Sequence, residues 1–194
     1  KSYSLPKDKI EAAIAKAFGA GDSQAFEEVV YEGYGPAGVA IYLEALTDNR
    51  NRTAADVRSA FTRVGGNLGA TGSVAFQFER KGQVTLEAAG APDEEELLLL
   101  VADAGGEDLE CGGEEWIVTT APTEAMQVKS ALEDAGLSVR GAELVMEPVT
   151  ETVVGVDEAK KVLRLIDQLE EHDDIQNVYH TMALTDEIAA ALEE

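Results

Sequence analysis

The order of local patterns across residues 82–149 constrains this chain more than any other feature. Residues 83–88 read as a strand, 93–104 as a helix, 108–111 and 116–120 as two strands, 123–135 as a helix and 138–147 as a strand. That order, β-α-β-β-α-β, is the split βαβ or ferredoxin-like pattern. Its first helix is marked by Asp93 and by Glu94 to Glu96 in the opening turn, where carboxylates meet the positive end of the helix dipole. Leu97 to Ala102 is the longest apolar run, far short of the roughly 18 residues a bilayer span requires. No membrane partner is expected.

The flanks read as a second unit. Residues 6–18 predict a helix, with Pro6 in its first turn and Ile10, Ala13, Ile14 and Ala17 on one face, stopped by Gly19 and Gly21. Residues 26–34 and 39–47 predict two strands joined by Gly35-Pro36-Ala37-Gly38. A helix is expected from Thr53, its N-cap, with Asp56 returning the capping bond. Val57, Ala60, Phe61 and Val64 form its apolar face, and Gly65-Gly66 ends it. A glycine-rich loop over 66–72 then leads into a strand at 73–79. After Pro148 come a helix near 157–171, a strand at 175–180 and a weakly helical tail.

Strand, strand, helix and strand before residue 82 lack a second covering helix, which 157–180 can supply. The expected fold is therefore α+β (α/β), with two small α/β domains, the second ferredoxin-like and inserted into the first. The expected boundaries are an N-terminal helix in 1–20, a discontinuous domain of 21–81 plus 150–194, and an inserted domain of 82–149, with Lys81-Gly82 as the crossing.

Charge supports a division there. Residues 1–81 hold ten bases and ten acids, and residues 82–194 hold five bases and 28 acids, so the whole net charge of −23 lies in the second part. Nucleic acid cannot be held by the average charge of such a chain; a local basic patch must do it. The acidic part reads as a solvated surface. Cys111 is the single cysteine, which excludes an internal disulfide and a multi-cysteine metal cluster; it reads as a small buried hydrophobe at a strand end. His172 and His180 have no companion at metal-ligand spacing, and no nucleophile elbow is present. Neither enzymatic activity nor a cofactor or metal is expected.

Gly66-Asn67-Leu68-Gly69-Ala70-Thr71-Gly72 invites a phosphate-loop reading. It follows a helix and precedes a strand, the reverse of the required order, and it lacks the Gly-Lys-Ser/Thr ending. Its glycines read instead as suppliers of positive φ in a tight turn. The most informative cluster is Thr47-Asp48-Asn49-Arg50-Asn51-Arg52-Thr53, where two arginines and two asparagines precede a helix N-terminus. Free N–H groups and arginine forks at such an end can close around a phosphate. Arg58 and Arg63 extend the positive charge. The same arginines could instead pair with acids such as Asp48 and Glu44, and both readings stand.

These residues also carry a resemblance. Tyr31-Glu32-Gly33-Tyr34-Gly35-Pro36-Ala37-Gly38-Val39, Leu46 to Thr53, Gly65 to Val74 and Phe78-Glu79-Arg80-Lys81-Gly82 resemble the YebC/PmpR family, which includes the mitochondrial translational activator of cytochrome c oxidase. The resemblance implies a basic N-terminal helical domain and two α/β domains, one inserted in the other. It also implies that most of the helical domain is absent, with residues 1–20 its remnant. Because the chain starts at Lys1 and not at methionine, the natural protein is expected to begin earlier. Family members are regarded as DNA-binding transcriptional regulators or as ribosome-associated translation factors.

The expected function is thus a cytoplasmic, monomeric gene-expression regulator that binds DNA or ribosomal RNA. Its expected contacts are Asn49, Arg50, Asn51, Arg52, Thr53, Arg58 and Arg63, with Tyr31, Glu32 and Tyr34 as a possible partner surface. The alternatives are a protein-interaction module whose acidic domain docks on a basic partner, and a small-ligand sensor.

Overall fold

The structure, a computed structural model, describes residues 25–193. The helix expected over 6–18 lies outside the described residues. In chain order the elements are β1 (Glu27–Tyr34), β2 (Ala40–Thr47), α1 (Arg50–Arg63), β3 (Asn67–Leu68), β4 (Phe78–Glu87), α2 (Glu94–Ala104), β5 (Asp108–Cys111), β6 (Glu115–Thr120), α3 (Ala125–Asp134), β7 (Val139–Pro148), α4 (Val156–Glu171), β8 (Ile175–His180) and α5 (Asp186–Leu192). Single 3-10 turns occupy Pro36–Gly38 and Ala75–Gln77. Among the described residues, no helix is long and apolar enough to cross a membrane.

The chain divides into two compact units. One is Glu79–Glu147; the other joins the described residues up to Phe78 with those from Pro148 onward. The discontinuous unit has a four-stranded sheet in the order β3-β1-β2-β8. β1 and β2 form a hairpin in unbroken antiparallel register from Glu27 opposite Thr47 to Tyr34 opposite Ala40. Its connection is tight: Ala37 (φ 58) and Gly38 (φ 77) are both left-handed. β8 pairs with β2 antiparallel, with an irregularity between Glu44 and Ala45.

The core of this unit forms where α1 and α4 set their apolar faces on the sheet. Ile41 and Leu43 of β2 meet Val57, Ala60 and Phe61 of α1 and Val162, Leu165, Ile166 and Leu169 of α4. Burying one such leucine, isoleucine or phenylalanine is worth about 2 kcal/mol. Close approach then dictates glycine: a Cβ at Gly66 would sit 2.6 Å from the Tyr34 carbonyl oxygen, so only glycine lets the chain leave α1 against β1.

The Glu79–Glu147 unit has the strand order β5-β6-β4-β7, with α2 and α3 sharing one core with Val84, Leu86 and Val118 through Leu97, Val101, Val128 and Leu132. Counted within the unit, that is strands 2-3-1-4, the ferredoxin-like arrangement of a βαββαβ chain. α2 is capped by Asp93, whose carboxylate accepts from the Glu96 N–H at 3.0 Å, and it closes on left-handed Gly105 (φ 98).

Several local expectations are corrected. α1 starts three residues earlier than Thr53, because Asn49 and not Thr53 supplies the cap. No strand begins at residue 73; a 3-10 turn precedes β4, which runs unbroken through Lys81-Gly82. Gly82 is required there because a Cβ would collide with Thr120 and Ala125. The charge balance therefore shifts in mid-strand, where the backbone has no break. Cys111 is exposed, not buried, because it ends the edge strand β5. The tail forms a true helix, capped by Thr185 and pinned in the core by Ile188.

Candidate nucleic-acid interface

The Thr47–Thr53 segment connects β2 to α1, and its polar side chains turn mostly inward. The Asn49 side chain accepts from the Arg52 N–H at 3.1 Å, and the Asn49 N–H donates to Thr47 Oγ1 at 3.0 Å. The helix start is thus closed by its own residues. Thr53 Oγ1 lies 2.8 Å from Thr47 Oγ1 and 2.9 Å from a carboxylate oxygen of Asp174. Asp174 is only 2% exposed and sits between α4 and β8.

Arg52 completes this cluster. Its guanidinium donates to Asp174 at 3.0 Å and to Asp48 at 3.1 Å. The hydrogen bond to Asp174, reinforced by that carboxylate's charge, raises the Arg52 pKa above its ordinary value. Asp174 also donates its N–H to His172 Nδ1 at 3.1 Å. A neutral His172 ring then carries its proton on Nε2, which lies 3.0 Å from Asp56. Asp56 therefore pairs with His172 and returns no bond to Thr53.

These contacts correct the expected anion cleft at the helix N-terminus. The hollow beside Arg52, about 400 Å³, is lined by Arg52, Glu171, His172, Asp173 and Asp174. Three carboxylates and one arginine line it, and that arginine is already paired with Asp174 and Asp48, so a phosphate entering there meets net negative charge. Arg52, Asn49 and Thr53 build the helix start. Among the described residues Arg52 pairs with Asp48 and with Asp174, the latter 122 residues away.

The other arginines stand apart from this network. Arg50, Arg58 and Arg63 are exposed, and among the described residues no ion pair engages them. At helical spacing Asn51 and Arg58 share one flank of α1, while Arg63 lies on the flank that faces α4. Arg63 lines a groove there with Asp56, Ala60, Gln168 and His172. Ala55, Ser59 and Thr62, all exposed, form a low crest between the two flanks.

Tyr31, Glu32 and Tyr34 do not form a common partner surface. Glu32 is buried, and its carboxylate accepts from the N–H groups of Gly72 (2.6 Å), Val74 (3.1 Å) and Ala75 (2.6 Å). The amides of the glycine loop, which a phosphate loop would aim at its ligand, are filled by this internal anion. Tyr34 donates its hydroxyl to the Ser73 carbonyl at 3.3 Å, and Tyr31 donates to the Arg50 carbonyl at 3.2 Å. Partial burial raises the Tyr31 pKa, with Arg50 opposing the shift and Asp174 adding to it. All three side chains hold the segments around α1 in place.

Known proteins place these observations in a lineage. The family model described as the second and third domain of TACO1/YebC matches residues 26–182. A "Probable transcriptional regulatory protein" of Clostridium perfringens is 49% identical over 180 residues, covering 93% of this chain and 73% of the relative. A protein of the same name from Rubrobacter xylanophilus is 47% identical over 191 residues, 98% of this chain and 76% of the relative. Among solved structures, a conserved hypothetical protein of Aquifex aeolicus aligns with a TM-score of 0.82 at 43% identity, covering 94% of this chain and 75% of that one.

Proposed function

The chain belongs to the TACO1/YebC family, and from that premise we propose that it regulates gene expression by contacting nucleic-acid phosphates through the outer face of α1. The carrying observation is that Arg50, Arg58 and Arg63 stay exposed and unpaired among the described residues of a chain with 38 acids. Guanidinium groups in such a field are available to an incoming polyanion, and their fork matches phosphate oxygens. Asn51 shares the Arg58 flank and adds a polar contact. Arg52, Asn49 and Thr53 serve by fixing where α1 begins. The polyanion is DNA or ribosomal RNA, and the names of the relatives support a role in regulation.

Crosslinking of the intact protein in cells, followed by sequencing of both DNA and RNA, tests this reading. The expected result is recovery of nucleic acid that falls severalfold when Arg50 and Arg58 are changed to Glu. Equal recovery from wild type and variant overturns the assignment to α1.

A second reading, docking of the acidic unit on a basic protein partner, is supported by the Glu79–Glu147 unit itself. Gln83 opposite Thr119 and Thr85 opposite Ile117 occupy strand positions that alternate with the core pairs, and none is aromatic. Sheets of this type that bind RNA stack bases on aromatic side chains. Near Lys81, Glu147 feels the charges of Glu110, Asp108 and Glu79, and desolvation together with these acids raises its pKa. Such a surface repels phosphate and suits cations.

A further inference from the structure

The groove between α1 and α4 gives the α1 face a second side. α4 runs antiparallel to α1: Asp56 meets His172 at 3.0 Å, and Ala60 and Arg63 share the groove with Gln168. Continuing that register by one turn of α4 toward its N-terminus brings Arg164 level with Arg63. Arg164 is exposed and, among the described residues, has no ion-pair partner. Lys161, two turns from Gln168 on the same flank, makes an exposed 3.5 Å contact with Glu158. The groove runs from Asp56 and His172 to Arg63 and Gln168. The hollow of Glu171, Asp173 and Asp174 adjoins its first end through His172, and helical spacing carries Arg164 and Lys161 beyond its second.

We propose that Arg164 of α4 joins Arg63 in a phosphate contact on the α4 side of α1, so that a nucleic-acid backbone lies over the low crest of Ala55, Ser59 and Thr62 with Arg58 on its far side. This rests on the reading of α1 as the nucleic-acid contact. The acidic hollow keeps the backbone away from Arg52 on the α4 side of the helix start. Asp157 and Asp167, exposed near Arg164 on α4, reduce the local potential, and removing one raises it.

The test measures binding of the intact protein to two labelled probes, a duplex DNA of about 20 base pairs and an RNA hairpin of similar size, between about 50 and about 200 mM salt. Arg164→Glu is compared with Lys129→Glu, an equal charge change on α3, where the half-buried Lys129 makes a 3.8 Å contact with Glu133. Arg164→Glu is expected to weaken binding about tenfold and to lower the salt slope by about 1, with Lys129→Glu causing less than about a threefold loss. Asp167→Asn is expected to tighten binding. Circular dichroism melting verifies that each substitution leaves the fold intact, and Arg164→Gln repeats the comparison with a smaller change. If Arg164→Glu matches Lys129→Glu while Arg58→Glu still weakens binding, the α4 contact is overturned and the α1 reading survives. If Arg58→Glu is silent as well, or if the wild type binds neither probe, both fall.

Discussion

The carboxylate of Asp174 lies 2.9 Å from the hydroxyl of Thr53, and through that contact a residue beyond α4 decides which arginines of α1 are free. Asp174 takes the Thr47 and Thr53 hydroxyls and the Arg52 guanidinium, leaving Arg50, Arg58 and Arg63 to the solvent. Asp174→Ala removes a buried acceptor from two buried hydroxyls, so a stability loss of about 3 kcal/mol is expected in urea unfolding. A loss below about 1 kcal/mol contradicts the central place given to this carboxylate.

Glu32 is the other buried anion that organises the unit. Glu32→Ala leaves three backbone N–H groups without their acceptor and is expected to cost about 3 kcal/mol. Glu32→Gln is informative because an amide keeps one acceptor and turns an NH₂ toward at least one of these donors. It is expected to cost more than about 1.5 kcal/mol, with faster proteolytic cleavage in the glycine loop. Wild-type stability and cleavage rate in Glu32→Gln contradict the assignment of this loop to an internal carboxylate.

What was legible in the sequence was whatever depends on near neighbours. The apolar spacing of Val57, Ala60 and Phe61 announced the buried face of α1, and Asp93 with Glu94 to Glu96 announced the start of α2. The ferredoxin-like order could be read because each of its elements has its own periodicity. Pairings that fold-level contacts create were not legible. Asp56 sits three residues after Thr53, the spacing of a capping box, yet His172 claims it from the far end of α4. Arg50 and Arg52 look alike in sequence and differ only because β8 docks beside β2 and brings Asp174 under one of them. Ser73 to Gln77 gave no sign of a 3-10 turn, since the Val74 and Ala75 amides within it answer to Glu32, some 40 residues earlier.

His180 gives the discontinuous unit a pH response. Its imidazole is largely buried, and desolvation lowers its pKa below the ordinary 6.5. The unfolded chain therefore takes up a proton before the folded one does. The contribution is absent well above pH 6.5 and becomes destabilising as pH falls below it, levelling off once pH passes the folded pKa. Glu143 and Glu147, whose pKa values burial raises, work in the opposite direction in the other unit. The clean observable is thus a difference: between about pH 7.5 and about pH 5.5, either side of the ordinary histidine pKa, wild type should lose more melting temperature than His180→Gln. Equal losses contradict the burial of this ring as a source of pH sensitivity.

Cys111 ends an edge strand and is exposed. Its thiol should react with a chromogenic disulfide in the native protein as quickly as after denaturation, within about a factor of ten. Reaction only after unfolding contradicts the placement of β5 at the sheet edge with its end in solvent.

The central claim is that Arg50, Arg58 and Arg63 contact phosphate while Arg52 is structural, and the salt dependence of nucleic-acid binding tests it most directly. Changing Arg50, Arg58 and Arg63 together to Gln should lower the slope of log affinity against log salt by about 2 to 3 while leaving the melting temperature unchanged. Arg52→Gln should do the reverse, lowering the melting temperature and leaving the slope of the folded protein intact. A triple variant that retains the wild-type slope, or an Arg52→Gln variant that alone abolishes it, contradicts the account.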